Sequence, residues 1–232
     1  MTRFWAALDV ASLPEAEARM ERLAPHREFK VGLELYHRIG PEGISKWTKQ
    51  GYAIFLDAKL HDIPATVAGA VANIEDLGVE LVTLHIGGGT AMLEAAREAS
   101  RTMGLVGVTI LTSLDQTALY HLGFHKRVAD VVLDYAKIAK RSHIAGVVVS
   151  AKELAAVHQL WPTARLVVPG IRWPGDASHD QERIGDPSET VANGATDLVL
   201  GRGLWQSPDP MGRLKQLTSS LDKGPLETRK DG

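Results

Sequence analysis

Residues 53–62 have the sequence Ala-Ile-Phe-Leu-Asp-Ala-Lys-Leu-His-Asp, in which an apolar run leads directly into a charged segment. A short apolar run of this kind is typical of a buried strand. Because side chains alternate along a strand, we expect Asp57 and Lys59 to point the same way. Buried strands rarely end in a carboxylate and an ammonium group unless these are paired or take part in chemistry. The segment therefore predicts both a strand and a functional site at its end.

Similar apolar runs recur along the whole chain, separated by amphipathic helical patterns. The eight predicted strands cover residues 4–9, 28–33, 53–59, 81–86, 104–111, 145–150, 165–171 and 197–202. The clearest helical pattern covers residues 63–77, where Pro64 stands in the first turn and Gly78 follows the last. Eight strands alternating with helices predict an α/β fold, the (β/α)8 TIM barrel. An open doubly wound sheet is the alternative, but the number of strands and the chain length favour closure.

The organisation predicted from the sequence is a single domain. Residues 1–222 are predicted to form the barrel, and residues 223–232 a polar, frayed C-terminal tail. Residues 173–181 form a polar loop after the seventh strand, where a barrel would carry a lid.

Composition excludes several classes of function. The chain has 232 residues, 44% of them hydrophobic, with a formal net charge of -2. Without a basic excess, we expect neither nucleic acid nor an anionic membrane as a partner. No stretch is long enough to span a bilayer, and the N-terminus lacks the apolar core of a signal peptide. The chain has no cysteine, so it forms no disulfide or thiolate metal site, as is usual for a cytoplasmic protein.

Barrel enzymes place their sites at the C-terminal ends of the strands, and polar residues cluster at these positions here. They are Asp9 after the first strand, Lys30 in the second, Asp57, Lys59 and Asp62 at the third, Thr112 and Ser113 at the fifth, Arg172 after the seventh, and Gly201-Arg202-Gly203 at the eighth. Each has a structural explanation too: Asp62 could cap a helix, Asp57 and Lys59 could form a rim ion pair, and Lys30 could reach the surface. Their convergence on one mouth favours a catalytic cluster.

Glycine and histidine patterns are less informative. Gly201-Arg202-Gly203 stands where barrels often bind phosphate, with bare backbone N–H groups and a guanidinium available. The run at residues 87–89 is interpreted as a tight turn into a helix. His121 and His125 have helical spacing, but no third ligand is evident, so no metal site is predicted.

Several motifs, taken in order, resemble one enzyme family. Asp57-x-Lys59-x-x-Asp62-Ile63-Pro64, preceded by Ala7-Leu8-Asp9 and Lys30-Val31-Gly32, resembles the orotidine 5′-phosphate decarboxylases. Further matches follow at Thr112-Ser113, Pro169-Gly170-Ile171-Arg172, Gln181 and Gly201-Arg202. The resemblance extends from the first strand to the eighth and so covers nearly the whole chain.

The resemblance implies a cofactor-free, homodimeric barrel that converts orotidine 5′-phosphate (OMP) to UMP in pyrimidine biosynthesis. Lys30, Asp57, Lys59 and Asp62 would form an alternating charge network, in which Lys59 protonates C6 and Asp57 lies beside the substrate carboxylate. The partner subunit would supply Asp62, Ile63 and Thr66. The remaining expected contacts are Asp9 and Lys30 to the ribose, Thr112 and Ser113 around the pyrimidine, Gln181, Gly201 and Arg202 to the phosphate, and Arg172 lining the site.

Three other functions remain as alternatives. Related sugar-phosphate decarboxylases and synthases share the Asp-x-Lys-x-x-Asp motif but hold Mg²⁺ with a carboxylate at the end of the second strand. This chain has Lys30 there, which would repel a cation, and Glu34 lies a turn later. A sugar-phosphate epimerase would need a histidine metal set that the chain does not offer. An inactive nucleotide-binding barrel would not need the full set of charged residues.

Overall fold

Eight parallel strands form a closed barrel in the computed structural model, which describes residues 2–173 and 185–222. The strands follow one another around the barrel in chain order, and β1 closes against β8. They are β1 (Arg3–Ala7), β2 (Glu28–Val31), β3 (Ala53–Leu60), β4 (Leu81–His85), β5 (Gly104–Val108), β6 (Gly146–Val148), β7 (Arg165–Val168) and β8 (Asp197–Leu200). The predicted TIM barrel is confirmed.

Helices surround the barrel. They are α1 (Leu13–Arg22), α2 (Leu33–Lys49), α3 (Pro64–Glu75), α4 (Thr90–Ala99), α5 (Gln116–His121), α6 (Val128–Arg141), α7 (Ala151–Leu160), α8 (Pro187–Ala192), α9 (Arg202–Trp205) and α10 (Pro210–Asp222). Helix α2 is broken at Gly40, where φ is 64°. Within the described ranges, no helix is both long and apolar enough to cross a bilayer.

The apolar core has two parts because the strands present both faces to protein. A large outer cluster lies between the strands and the helices and includes Phe29, Ile54 and Leu84. A smaller cluster fills the barrel interior around Trp5 and Phe55. Burial on both faces explains why the strands are nearly continuous apolar runs and not alternating patterns.

A charged cluster closes the base of the barrel, at the N-terminal ends of the strands. Asp197, only 1% exposed, accepts hydrogen bonds from Trp5 Nε1 at 2.7 Å and from Arg165 Nη2 at 2.7 Å. Arg3 stacks on the Trp5 ring, 4.4 Å from its centroid, and pairs with Glu80. The buried Asp197 and the partly exposed charged groups around it are all paired, so the base is a plug of packed and hydrogen-bonded side chains.

The end of β3 departs from a regular strand. Leu56 is in register with Val82 of β4, and the next pair in register is Leu60 with Leu84. Three residues of β3, numbers 57–59, therefore lie opposite the single residue Thr83. Lys59 takes the left-handed conformation, with φ of 49°, which is unusual for a residue other than glycine. Such irregularities in a sheet re-aim side chains and are common beside active sites.

Several predicted strands extend past the end of the observed strand. Strand β5 stops at Val108, so Thr112 and Ser113 lie in the loop beyond it and do not end the strand as predicted. Strand β8 stops at Leu200, and Arg202 begins α9. Ile110 and Leu111 continue the apolar run beyond β5, which is why the sequence pattern predicts too long a strand there. Most of the predicted lid, Gln181 and the C-terminal tail lie outside the described residues.

The triglycine segment forms the turn that its sequence predicts. Residues 86–88 make one 3₁₀ turn, and Gly89 follows with φ of 83° before α4 begins. A side chain at Gly88 would collide with Met92. The glycines therefore serve close packing and a left-handed backbone.

Candidate active site

Three charged side chains meet at the C-terminal mouth of the barrel. Lys59 Nζ lies 2.7 Å from Asp57 Oδ2, and Lys30 Nζ lies 3.8 Å from the same oxygen. Lys30 also donates to Asp9 Oδ1 at 3.0 Å, so the four groups alternate in sign. The side chains of Lys30 and Asp57 are only 12% and 15% exposed. The C-terminal ends of β1, β2 and β3 therefore bring Asp9, Lys30, Asp57 and Lys59 into one cluster, with Asp9 as the second carboxylate of this chain.

The reason that Asp57 and Lys59 meet differs from the one predicted. Simple alternation along a strand would place them on one face, but the backbone between them is irregular and Lys59 is left-handed. The Lys59 side chain is therefore aimed back at Asp57 by a local distortion. Their proximity was predictable from spacing, whereas this geometry was not.

Asp57 is held in its ionised form. Burial alone would raise the pKa of the Asp57 carboxyl, but Lys30 and Lys59 nearby, with hydrogen bonds from Lys59 and Thr83, bring it below its ordinary value. A buried carboxylate between two ammonium groups can therefore keep its charge at neutral pH. The Asp57 carboxylate thereby holds the Lys59 side chain in place through the 2.7 Å contact.

Two adjoining cavities share the side chains of Lys30, Asp57 and Lys59. The inner one, of about 150 Å³, has a largely apolar wall: Phe55, Val108, Ile110, Leu111, Val148, Val149, Val167, Pro169 and Val199. The outer one, of about 270 Å³, is more polar and includes Asp9, Gly32 and Glu34. A ligand with an apolar end and a polar end would match this pair of cavities, and the charged groups would stand between the two ends.

His61 directly follows β3 and His85 ends β4, and their ring centroids are 5.3 Å apart. Burial lowers the pKa of His85 below its ordinary value, and nearby His61 and Lys59 lower it further. A neutral His85 adds no positive charge beside Lys59. Both rings therefore lie near the mouth, at the C-terminal ends of two neighbouring strands.

Residues 61–66 are exposed on the rim just past β3. Asp62 accepts a hydrogen bond from the adjacent Ile63 backbone N–H at 2.6 Å, and Ile63 is 66% exposed. Asp62, Ile63 and Thr66 are not among the described residues that line either cavity. The structure of one chain thus does not bring these three predicted residues into its own site.

Other predicted residues are divided between the site and its surroundings. Thr112 lines the inner cavity, whereas Ser113 is exposed and does not. Arg172 is buried and donates from Nη1 to the Ile171 carbonyl at 2.8 Å. Gly201 lies on the same rim as Asp9, since a Cβ built on it would stand 3.8 Å from Asp9 Oδ2. Arg202 follows Gly201 directly, and Gln181 lies outside the described residues.

Sequence reasoning missed Thr83 and most of the apolar wall. Thr83 is buried in β4 and contacts both Asp57 and Lys59. Its only sequence signal is a hydroxyl within the apolar run Leu81-Val82-Thr83-Leu84. Wall residues such as Val108 and Val199 have no sequence signal, because a valine that lines the cavity cannot be distinguished in the sequence from any other buried valine.

The cluster can stabilise negative charge and deliver a proton. Lys59 presents an ammonium group at the boundary of an apolar cavity, where electrostatic interactions are stronger than in water. Among the residues that the structure describes, no group of three or more histidine, aspartate or glutamate side chains is arranged to hold a metal ion.

Known proteins of one family are similar to this chain over nearly its whole length. The model of the orotidine 5′-phosphate decarboxylase / HUMPS family matches residues 2–217. The chain is 43% identical over 221 residues to an orotidine 5′-phosphate decarboxylase of Chromohalobacter salexigens, covering 93% of the chain and 94% of that protein. It is 36% identical over 227 residues to one of Idiomarina loihiensis, covering 95% and 98%.

Solved structures show the same architecture. The chain is similar to the crystal structure of orotidine 5′-phosphate decarboxylase from Lactobacillus acidophilus, with a TM-score of 0.86 and 30% identity. That match covers 96% of this chain and 100% of the other. The correspondence therefore extends over the whole barrel and includes the strands that carry the charged cluster.

Proposed function

The chain belongs to the orotidine 5′-phosphate decarboxylase / HUMPS family, and from this premise we propose how the groups at its barrel mouth work. The protein is a carboxy-lyase that converts OMP to UMP and carbon dioxide. The observation that supports our assignment of roles is the alternating charge cluster of Asp9, Lys30, Asp57 and Lys59 at the edge of an apolar cavity.

In the proposed reaction the C6–carboxylate bond breaks and its electron pair stays on C6. Lys59 gives its proton to C6 as carbon dioxide leaves, so the product carries a C6–H bond. The pyrimidine has no internal electron sink for this charge, so a fixed ammonium group is the main source of stabilisation. Asp57 lies beside the substrate carboxylate and orients Lys59 through the 2.7 Å contact.

The outer cavity is assigned to the ribose and phosphate. Asp9 and Lys30 lie there with polar groups for the ribose hydroxyls. Gly201 and Arg202, on the same rim as Asp9, are assigned to the phosphate, together with Gln181. Thr112 lines the pyrimidine end, Ser113 is assigned to the pyrimidine edge, and Arg172 supports the site from the loop after β7.

Replacing Arg202 with alanine is expected to lower kcat/KM for OMP about tenfold to a hundredfold, because a charge-assisted contact to the phosphate is lost. For orotidine, which has no phosphate, kcat/KM of the variant should differ from that of wild type by less than about twofold. Neither the wild-type enzyme nor the variant can then gain binding energy from a phosphate group. Initial rates on both substrates provide the measurement. Arg127→Ala, at an exposed pair with Asp130, is the matched control. Equal losses on both substrates would assign Arg202 a structural role.

We propose a homodimer with shared active sites. Exposed residues 61–66 border the mouth, and Ile63 is a large apolar side chain in the open. A two-fold contact through this rim would bury Ile63 and bring Asp62 and Thr66 to the partner's cavity. A cytoplasmic location is proposed from the cysteine-free composition.

A turnover assay with OMP, measured by loss of the orotate absorbance and release of carbon dioxide, tests the proposal directly. We expect the purified protein to decarboxylate OMP, with a rate that is unchanged after exhaustive chelation. The physical reason is that Lys30 and Lys59 already place positive charge around Asp57, where a divalent ion would otherwise bind. Activity lost on chelation and restored by Mg²⁺ would instead favour the sugar-phosphate branch, with Glu34 in the outer cavity as a ligand candidate.

A further inference from the structure

Thr83 connects both members of the central ion pair through one hydroxyl group. Its Oγ1 accepts a hydrogen bond from the Lys59 backbone N–H at 2.8 Å and donates one to Asp57 Oδ1 at 2.8 Å. A hydroxyl carries a single hydrogen, so its donation to the carboxylate is fully committed. The side chain is 1% exposed, which leaves water little access to replace either bond.

The position of Thr83 coincides with the irregular end of β3. The register passes from Leu56–Val82 directly to Leu60–Leu84, and Thr83 is the single β4 residue opposite the intervening three. Within this interval the Lys59 N–H bonds to the Thr83 side chain. The left-handed conformation is unfavourable for a residue other than glycine and persists only where its surroundings hold it. Thr83 provides such a hold on Lys59.

The same hydroxyl also sets the orientation of the Asp57 carboxylate. Oδ1 is bound to Thr83, so Oδ2 is the oxygen that faces Lys59 at 2.7 Å and Lys30 at 3.8 Å. A carboxylate without this bond could rotate and change both distances. Since a displacement of about 1 Å can greatly slow a reaction, the orientation matters for catalysis.

We propose that Thr83 is a positioning residue for the decarboxylation, holding the Asp57 carboxylate and the Lys59 backbone in the reactive arrangement. The inference rests on the proposed function of the cluster. Thr83 borders the inner cavity, but its hydroxyl is taken up by Asp57 and the Lys59 N–H, so it acts through these two charged residues. A buried threonine with a purely structural role would affect stability alone.

Three variants separate positioning from packing. Thr83→Val keeps the shape but removes the hydroxyl, and Thr83→Ser keeps the hydroxyl. Thr48→Val is the matched control, because the Thr48 hydroxyl bonds to the Leu77 carbonyl at 2.6 Å, away from the site.

We expect Thr83→Val to lower kcat about tenfold to a hundredfold with KM changed less than about threefold. Thr83→Ser and Thr48→Val should keep kcat within about threefold, whatever their Tm. A Thr83→Val enzyme with wild-type kcat, or a Thr83→Ser enzyme as slow as it, would overturn the proposal.

The pH dependence gives a readout that packing would not move. The Thr83 hydrogen bond is among the causes that lower the Asp57 pKa, so Thr83→Val should raise that pKa. The acid limb of kcat/KM should then move to higher pH, because the carboxylate becomes protonated earlier on acidification.

Carbon-13 NMR titration of the Asp57 carboxyl in wild-type and Thr83→Val protein tests the hydrogen bond without turnover. A higher Asp57 pKa in the variant supports the inference, and an unchanged one overturns it. A wild-type protein that fails to decarboxylate OMP would refute the proposed function instead. The two failures are therefore distinguishable.

Discussion

Replacing Lys59 with alanine is expected to lower kcat/KM for OMP by about a thousandfold or more. Lys59 carries the ammonium group that lies against Asp57 and at the edge of the apolar cavity. Removal of one preorganised hydrogen-bond donor from an oxyanion site typically costs about a hundredfold to a thousandfold, and Lys59 supplies both a charge and the transferred proton. Steady-state kinetics with OMP provide the measurement.

The control for this prediction is an exposed lysine. Lys46→Ala removes an ammonium group that pairs with Glu17 on the surface, and its rate should stay within about twofold of wild type. Comparison of Tm values for both variants shows whether the fold survives. A Lys59→Ala enzyme within about tenfold of wild type, equivalent to about 1.4 kcal/mol, would remove Lys59 from its central role.

Mixing two inactive variants is expected to restore about a quarter of wild-type activity. The variants are Lys59→Ala and Asp62→Ala, and the expectation follows from Asp62 lying on the exposed rim instead of in its own cavity. In a heterodimer with shared sites, one pocket would carry both defects and the other neither. At equal mixing about half of the dimers are heterodimers, each with one intact site. Activity is measured after the subunits have exchanged.

A second mixture supplies the matched control. Asp57 and Lys59 meet within one chain, so mixing Asp57→Ala with Lys59→Ala leaves one defect in every pocket and should restore nothing. Exchange itself is followed with differently tagged subunits by native mass spectrometry. If exchange is complete and the first mixture also stays inactive, then Asp62 acts in its own subunit and the shared-site model is wrong.

The fold was predictable because its signals are local and repeated. Each strand is a short apolar run, and each run is followed by a helical pattern such as the one that begins at Pro64. Asp57 and Lys59 stood out because charged groups are unusual at the end of such a run. Those signals depend on composition and spacing alone.

The finer geometry of the site depends on contacts between distant parts of the chain. The left-handed conformation at Lys59 arises where β3 and β4 lose register, and nothing in residues 53–62 alone reveals it. The contacts of Thr83 with Asp57 and Lys59 exist only because β4 lies beside β3 in the folded barrel, so the sequence alone does not reveal them. The prediction that Thr112 and Ser113 end β5 was wrong for the same reason, since the path of a loop past its strand has no periodic signal.

The plug at the base determines where substrate can enter this enzyme and where products can leave it. With Trp5 packed inside the barrel and Asp197 bonded to Trp5 and Arg165 beneath it, the residues that the structure describes leave small molecules no route along the barrel axis. The substrate and both products must therefore enter and leave through the C-terminal mouth of the barrel. UMP keeps the ribose and phosphate of OMP, so it leaves through the same contacts by which OMP arrived. UMP must therefore leave the mouth of the barrel before the next OMP can bind.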